Sequence, residues 1–149
     1  MITDNDQHIG PAEMALLLSA DPSEKNIHIY LSDAIILKQF TDNVLSGILV
    51  MGLTDNGAEI YNVAIAEEHQ GKGFGQQLLR AGIEKCRSLQ CRHILIGTGN
   101  SSVGQLYLYQ KLGFEITGIR HNYFVEHYST PIIENGIPCK HMIRLRMDL

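Results

Sequence analysis

The sequence has no basic surplus and no long apolar run, and each absence argues against a class of protein. Its 149 residues carry 12 Lys and Arg against 16 Asp and Glu, which gives a formal net charge of −4 at pH 7. Nucleic-acid-binding proteins more often carry a positive balance. No apolar stretch approaches the ~20 residues of a membrane-spanning helix, and the polar, acidic opening MITDNDQHIG predicts no targeting peptide. We expect a cytoplasmic protein without nucleic-acid or membrane partners.

Cysteine is scarce, and its placement argues against a disulfide framework. The three cysteines, Cys86, Cys91 and Cys139, are odd in number and show no CxxC spacing. Disulfide-stabilised domains and zinc sites normally need paired or clustered thiols. The histidines near the C-terminus are spaced too widely for a compact ligand set such as HExxH. We therefore expect reduced thiols and no metal.

The composition that is present belongs to a globular protein. Hydrophobic residues make up 44% of the 149 positions and charged residues 19%, which is typical of a folded chain rather than a disordered one. This length suits one domain with a core of its own. We expect a single domain over residues 1–149.

The hydrophobic pattern predicts an antiparallel meander followed by alternating helices and strands. We expect strands over residues 27–31, 34–40, 44–53, 59–66, 93–97, 115–119 and 141–147, and helices over residues 11–19, 73–89 and 102–112. This order indicates an α+β fold with a mixed sheet. A right-handed crossover makes the strands at 59–66 and 93–97 parallel neighbours.

The stretch HQGKGFGQQLL places glycines at every second position, 71, 73 and 75, between a predicted strand and a predicted helix. The first N–H groups of a helix lack partners, and the helix dipole favours negative charge there. Glycines let the backbone approach a phosphate closely, and Lys72 adds a cation. The patterns GxxxxGK[ST] and GxGxxG are both absent. The glycines alone leave two alternatives open, a phosphate-binding loop and a simple tight turn.

Two motifs resemble those of the GNAT-type N-acetyltransferases. Residues 70–75, QGKGFG, match the signature Q/R-x-x-G-x-G/A, and residues 108–115, LYQKLGFE, resemble the late helix that ends in Y-x-K-x-G-F. The resemblance covers about residues 44–119. It implies a single GNAT-like domain whose mixed, mostly antiparallel sheet is splayed between two central parallel strands, with helices on both faces. Members commonly have two N-terminal helices, for which this N-terminal region is short.

The resemblance implies that acetyl-CoA is the acetyl donor. Its diphosphate is expected on Gln70, Gly71, Lys72, Gly73, Phe74, Gly75 and Gln76, and its pantetheine arm along Val63, Ala64 and Ile65. The N–H of Val63 is then placed to polarise the thioester carbonyl, as in an oxyanion hole. The family often has an Asn at the start of the next helix to hold the pantetheine. Alignment puts Ser102 there and Asn100 two residues earlier; either can serve, and we favour Asn100 slightly.

The resemblance also suggests catalytic groups. Tyr109 matches the usual general acid, which protonates the departing thiolate; the alternative is a tyrosine that only packs in the core. A carboxylate acting through water often removes the proton of the incoming ammonium. Glu59 is the better candidate here, and the alternative is an edge carboxylate with no role. Asn62 either positions the substrate or completes a hydrogen-bond network.

We therefore expect an N-acetyltransferase that moves acetyl directly from acetyl-CoA to a primary amine of a small molecule or peptide. No cysteine lies in a recognisable nucleophile motif, so no covalent enzyme intermediate is expected. Residues 121–136 form the acceptor pocket, a homodimer surface or merely a packed connection. Two other readings stay open: a non-catalytic acyl-CoA-binding regulatory module, and a nucleotide-phosphate binder on an unrelated fold.

Overall fold

The computed structural model describes residues 1–149, which form two compact units, Met1–Arg92 and His93–Leu149. The first unit contains, in chain order, β1 (Ile2–Thr3), α1 (Pro11–Ala20), α2 (Glu24–Leu31), β2 (Ile35–Thr41), β3 (Val44–Leu53), β4 (Ala58–Ile65), a 3₁₀ turn (Glu67–His69) and α3 (Phe74–Ser88). The second contains β5 (His93–Gly99), α4 (Val103–Leu112), β6 (Glu115–Arg120), α5 (Tyr123–His127), β7 (Ile132–Glu134), β8 (Ile137–Cys139) and β9 (Met142–Asp148). None of the helices is both long and apolar enough to cross a membrane.

In the first unit, β1 to β4 pair antiparallel in chain order, as the predicted meander requires. The turn between β2 and β3 holds Asp42 and Asn43 at φ values of 51° and 64°. Both values lie in the left-handed region, which Asp and Asn tolerate better than most residues. The sequence Thr41-Asp42-Asn43 thus forms the turn between two strands of the predicted meander.

Helices cover both faces of this sheet. Leu17 of α1 and Ile27 of α2 are fully buried in one cluster with Ile48 and Val50 of β3. On the opposite face α3 approaches so closely that a Cβ at Gly82 would lie 3.1 Å from Leu49 Cδ1. The sheet, with β4 in it, is therefore packed between two apolar layers.

Residues 27–31 form part of a helix, so the predicted strand there is wrong. Ser23 accepts a hydrogen bond from the N–H of Asn26 at 3.2 Å, which is an N-cap that starts α2. Ile27, Tyr30 and Leu31 recur at helical spacing and pack into the α1 cluster. The β-branched isoleucines favoured a strand, but the cap and the spacing decide the outcome. The N-terminal region is thus long enough for two helices.

The outer edge of β2 is covered by the segment that follows β1. The Gln7 side chain donates to the Ile36 carbonyl at 3.2 Å and accepts from the Ile36 N–H at 3.1 Å, as a paired strand would. The buried ammonium of Lys38 donates to Asp6 at 2.8 Å, to Glu13 at 3.2 Å and to the carbonyl of residue 8. All three ammonium protons are used, as a buried charge requires.

In the second unit, β9 lies between β5 and β6 and pairs antiparallel with both. Helix α4 is followed by Gly113, whose φ of 110° forms the left-handed cap that commonly ends helices. The stretch with no regular prediction contains α5 and a separate hairpin, β7–β8. Asn135 and Gly136 turn this hairpin with positive φ values of 54° and 72°.

Candidate functional site

The glycine loop has the backbone conformation that only glycine adopts readily. Gly71 and Gly73 have φ values of 74° and 84°, where a side chain is strained. A Cβ at either position would meet no heavy atom within 4 Å. Backbone conformation, rather than crowding by the protein, therefore requires these glycines, and the loop is open beside them. Gly75 lies within the first turn of α3.

The start of α3 presents backbone donors. The N–H of Gln77 makes the first helical bond, to the Gly73 carbonyl at 3.1 Å, so the N–H groups of Phe74, Gly75 and Gln76 precede it. Gly73 is the N-cap residue and supplies no side-chain cap. Lys72 is exposed beside these donors. The arrangement suits an anion with several oxygens.

Gln70 ties the loop to the end of β4. Its side-chain amide donates to the Ile65 carbonyl at 3.0 Å. Val63, Ala64 and Ile65 form the last three residues of β4, opposite Leu49, Ile48 and Gly47 of β3. The structure therefore joins the predicted pantetheine segment directly to the predicted diphosphate loop, within one unit.

A β-bulge in β4 rearranges the side chains next to this segment. Asn62 lies opposite Val50 and Ile60 lies opposite Met51, so Tyr61 is the extra residue. Because of the bulge, Glu59 and Asn62 point to the same face of the sheet, the face covered by α1 and α2. In a regular strand, residues three apart would point to opposite faces.

Tyr61 and Tyr30 form a stacked pair on this face. Their ring centroids are 5.3 Å apart with an interplanar angle of 17°. The Tyr61 ring lies over Gly52, where a Cβ would come within 2.7 Å of it. Partial burial, and then the negative charge of Glu59, raise the pKa of Tyr61. Glu59 is thus electrostatically coupled to an aromatic, half-exposed patch.

Asn62 belongs to a buried hydrogen-bond network. Its side-chain amide donates to the Leu17 carbonyl at 3.1 Å and to the Tyr30 hydroxyl at 2.8 Å. That hydroxyl donates to Asp21 at 3.3 Å. The Asn62 carbonyl oxygen is buried without a protein partner, an arrangement that costs about 1–3 kcal/mol. The network links β4 to α1 and α2, and the Asn62 carbonyl oxygen is the acceptor that it leaves without a hydrogen bond.

Tyr109 lies in the interior of the second unit. Its residue is 6% exposed, and its ring packs at 6.1 Å, centroid to centroid, from that of Phe114. Burial raises the pKa of the Tyr109 phenol far above its ordinary value, so the group keeps its proton at neutral pH. A buried, protonated phenol is compatible with both roles considered for Tyr109, the general acid and the packed core side chain. Tyr107, by contrast, is 66% exposed.

Asn100 holds a neighbouring segment of its own unit. Its side-chain oxygen accepts hydrogen bonds from the N–H groups of Lys140 at 2.8 Å and His141 at 2.9 Å. Its amide nitrogen donates to the Pro138 carbonyl at 3.1 Å. These contacts fasten the chain between β8 and β9, and they use most of the hydrogen-bonding capacity that a pantetheine contact needs.

Ser102 is engaged in the same way. Its hydroxyl donates to the Glu134 carboxylate at 2.7 Å, and that of Ser101 donates to the same oxygen at 3.3 Å. Asn135 adds a bond to the Ser101 carbonyl at 2.9 Å. The turn at residues 100–102 therefore fastens the β7–β8 hairpin. The Asn135-Gly136 pair was the signal from which this hairpin could have been found.

The cysteines do not form a nucleophilic centre. Cys86 and Cys139 are buried, and Cys91 is half-buried. Burial, the largest cause, raises the pKa of Cys86 to about 12, which removes the thiolate needed for attack. No three His, Cys, Asp or Glu side chains lie where they could share a metal ion.

Comparison with known proteins places this geometry among related chains. Residues 12–114 match the family described as "Acetyltransferase (GNAT) family". An "Uncharacterized N-acetyltransferase YvbK" of Bacillus subtilis (strain 168) is 46% identical over 135 residues, which are 90% of this chain and 87% of that protein.

Solved structures match over the whole length. One, described as an "IAA acetyltransferase from Bacillus cereus ATCC 14579", has 43% identity and a TM-score of 0.95, covering 100% of this chain and 99% of that one. Another, a GNAT family acetyltransferase from Elizabethkingia anophelis solved with acetyl-CoA bound, has 44% identity and a TM-score of 0.94, covering 100% and 97%.

Proposed function

The chain belongs to the acetyltransferase (GNAT) family, and we propose that it transfers acetyl from acetyl-CoA to a primary amine. The observation that carries this proposal is the open loop at residues 70–75, with Gly71 and Gly73 in the left-handed conformation at the start of α3. The bound acetyl-CoA of the 44% identical relative supports the choice of ligand.

In this proposal the loop binds the diphosphate of the coenzyme. The N–H groups of Phe74, Gly75 and Gln76 donate to its oxygens, and the α3 dipole stabilises its charge. Lys72 adds a mobile cation at the rim. The pantetheine amides pair with the backbone of Val63, Ala64 and Ile65, to which Gln70 fastens the loop.

The acetyl group then moves in one step from sulfur to nitrogen. The amine nitrogen attacks the thioester carbonyl, a C–N bond forms, and the C–S bond breaks. The N–H of Val63 stabilises the negative charge that develops on the carbonyl oxygen. Glu59, through water, accepts the proton that the ammonium loses before attack, and Tyr109 gives its proton to the departing thiolate. The attacking nitrogen loses its second proton as the C–S bond breaks, and this proton restores the Tyr109 phenol through water.

We propose a cationic acceptor that approaches the α1–α2 face of β4. Glu59 and the exposed Tyr61 ring lie on this face, and carboxylates and aromatic faces both attract ammonium groups. A small molecule or a peptide amine fits this description. The cytoplasmic location expected from the sequence is part of the same proposal.

A thiol-release assay tests the function directly. The protein is mixed with acetyl-CoA and a panel of polyamines, amino acids and peptide N-termini, and free CoA thiol is measured over time. We expect release that depends on the acceptor and saturates with it. Tight binding of CoA without acceptor-dependent release for any amine would instead identify a non-catalytic acyl-CoA-binding module.

A further inference from the structure

The second unit ends in an open strand edge. β6 pairs with β9 on one side only and stands last in the strand order. Five of its six residues are exposed, including Ile116 and Ile119, each 51% exposed. The free N–H and C=O groups of such an edge can pair with another strand.

The edge formed by β1 and β2 is protected against pairing with another strand, and the β6 edge is less protected. β1 has only two residues and is followed by the acidic residues Asp4 and Asp6, and the Gln7 side chain occupies the edge of β2. Short strands and added charge are the usual means of preventing edge-to-edge pairing. β6 has no proline and no lysine, and its two charges stand at its ends.

The sequence of β6, EITGIR, is complementary to itself in the antiparallel sense. When two copies pair about a point between Thr117 and Gly118, Glu115 of each copy meets Arg120 of the other. Ile116 of each copy meets Ile119 of the other. Opposite charges and apolar pairs face each other twice, as a two-fold interface requires.

A bulge in β6 makes this pairing geometrically consistent. Ile116 lies opposite Leu145 and Gly118 lies opposite Arg144, so Thr117 is the extra residue. Ile116 and Ile119 consequently share one face of the sheet, and Glu115 and Arg120 share the other. Residues that face each other across an antiparallel pair must lie on the same face. In a regular strand neither pair would do so.

We propose that β6 is the docking edge for a second copy of this chain, paired antiparallel with Glu115 against Arg120. The Arg120 guanidinium lies 4.8 Å from the centroid of the Tyr123 ring, where a cation–π contact favours this position. The dimer joins two copies of the β5–β9–β6 sheet into one. This places the contact on β6, whereas the sequence suggested residues 121–136.

Charge reversal tests the pairing and its register. The variants E115R and R120E each put like charges together twice, so we expect the dimer dissociation constant to rise roughly tenfold or more for each. In a mixed dimer of the two variants, one copy carries a positive charge at both positions and the other a negative charge at both. Each of the two contacts then joins opposite charges. The mixture and the double variant should therefore both restore the dimer.

Sedimentation velocity over a range of protein concentrations measures these constants. E126R, a charge reversal on exposed α5 of the same unit, is the matched control and should dimerise as the wild type does. Circular dichroism and CoA binding confirm that each variant is folded. A wild type that stays monomeric at all concentrations would overturn the proposal, and so would a dimer indifferent to both reversals. Single variants whose mixture stays monomeric would overturn the register.

Discussion

Two of the regions to which the sequence assigns coenzyme contacts, the glycine loop and the turn at residues 100–102, differ in how far the protein itself already uses their polar groups. Around Gly71 and Gly73 a Cβ would meet no heavy atom within 4 Å, and the first N–H groups of α3 precede its first helical bond. At residues 100–102, the Asn100 side chain makes three hydrogen bonds to residues 138–141, and Ser102 donates to Glu134.

This difference distinguishes a loop that can bind a ligand from a turn that holds neighbouring segments of the protein. A loop whose glycines adopt the left-handed conformation, followed by N–H groups that make no helical bond, is preorganised for a ligand. A turn whose side chains satisfy neighbouring backbone groups is preorganised for the protein. Motif alignment alone assigns the same role to both, and only the partners of each polar atom distinguish them.

The largest expected effect is on Gly73. G73V places a β-branched side chain at a φ of 84° and moves the donors at the start of α3. Hydrogen bonds to a charged group contribute about 1.5–3 kcal/mol each, so we expect CoA affinity to fall roughly 100-fold. Isothermal titration calorimetry measures it.

G136V is the matched control for that variant. Gly136 has a φ of 72° and, like Gly73, nothing within 4 Å of a Cβ. Both variants should lose about 1–2 kcal/mol of stability through backbone strain. Only G73V should lose CoA. Equal CoA affinities in the two variants would contradict the proposal that the glycine loop binds the diphosphate of CoA.

The Y109F variant tests whether Tyr109 contributes to turnover without contributing to CoA binding. We expect Y109F to lower turnover by roughly 100-fold, the scale of general acid catalysis, while the dissociation constant of CoA stays within about twofold of the wild type. Steady-state kinetics and calorimetry give the two numbers. Y107F, on the exposed tyrosine of the same helix, should leave both unchanged. Undiminished turnover in Y109F would remove this residue from the mechanism.

The N100A variant tests whether Asn100 holds the chain between β8 and β9 rather than the coenzyme. N100A leaves the N–H groups of Lys140 and His141 without their acceptor, so we expect a loss of about 1–3 kcal/mol in the free energy of unfolding. CoA affinity should change by less than about threefold. Urea denaturation and calorimetry measure the two effects. A tenfold loss of CoA affinity at unchanged stability would restore the pantetheine contact predicted from the family.

The smallest effect is expected at Lys72. This side chain is exposed, and exposed ion pairs contribute at most about 1 kcal/mol. K72A should weaken CoA binding by roughly two- to fivefold, and the difference from wild type should shrink as salt is raised. K111A, which removes an exposed lysine of α4, should show neither effect. A salt-independent difference would mean that Lys72 acts through the loop backbone rather than by charge.

Much of the fold was predictable because local signals and tertiary packing agree. The glycine motif, the capping Gly113 and the Asp42–Asn43 turn each need a particular backbone conformation, and each was found in it. The α+β class inferred from the order of the predicted strands and helices is confirmed by solved structures with TM-scores of 0.95 and 0.94.

Other features depend on contacts that no local pattern contains. The strand predicted at residues 27–31 was wrong because the Ser23 cap and packing on α1 outweigh the preference of isoleucine for strands. The bulge at Tyr61 arises from the register between two strands. It could not be predicted from β4 alone, and it decides which face Glu59 and Asn62 share. The catalytic and binding roles of individual residues stay predictions.

The most direct test of the central claim is an amide NMR titration. If the N–H groups around the glycine loop bind the diphosphate, the signals of Gly71, Gly73 and Gly75 will shift and saturate as CoA is added. They will stay in place when pantetheine, which lacks the diphosphate, is added instead, and those of Gly113 and Gly136 will move with neither. Loop signals that do not respond to CoA would contradict the account.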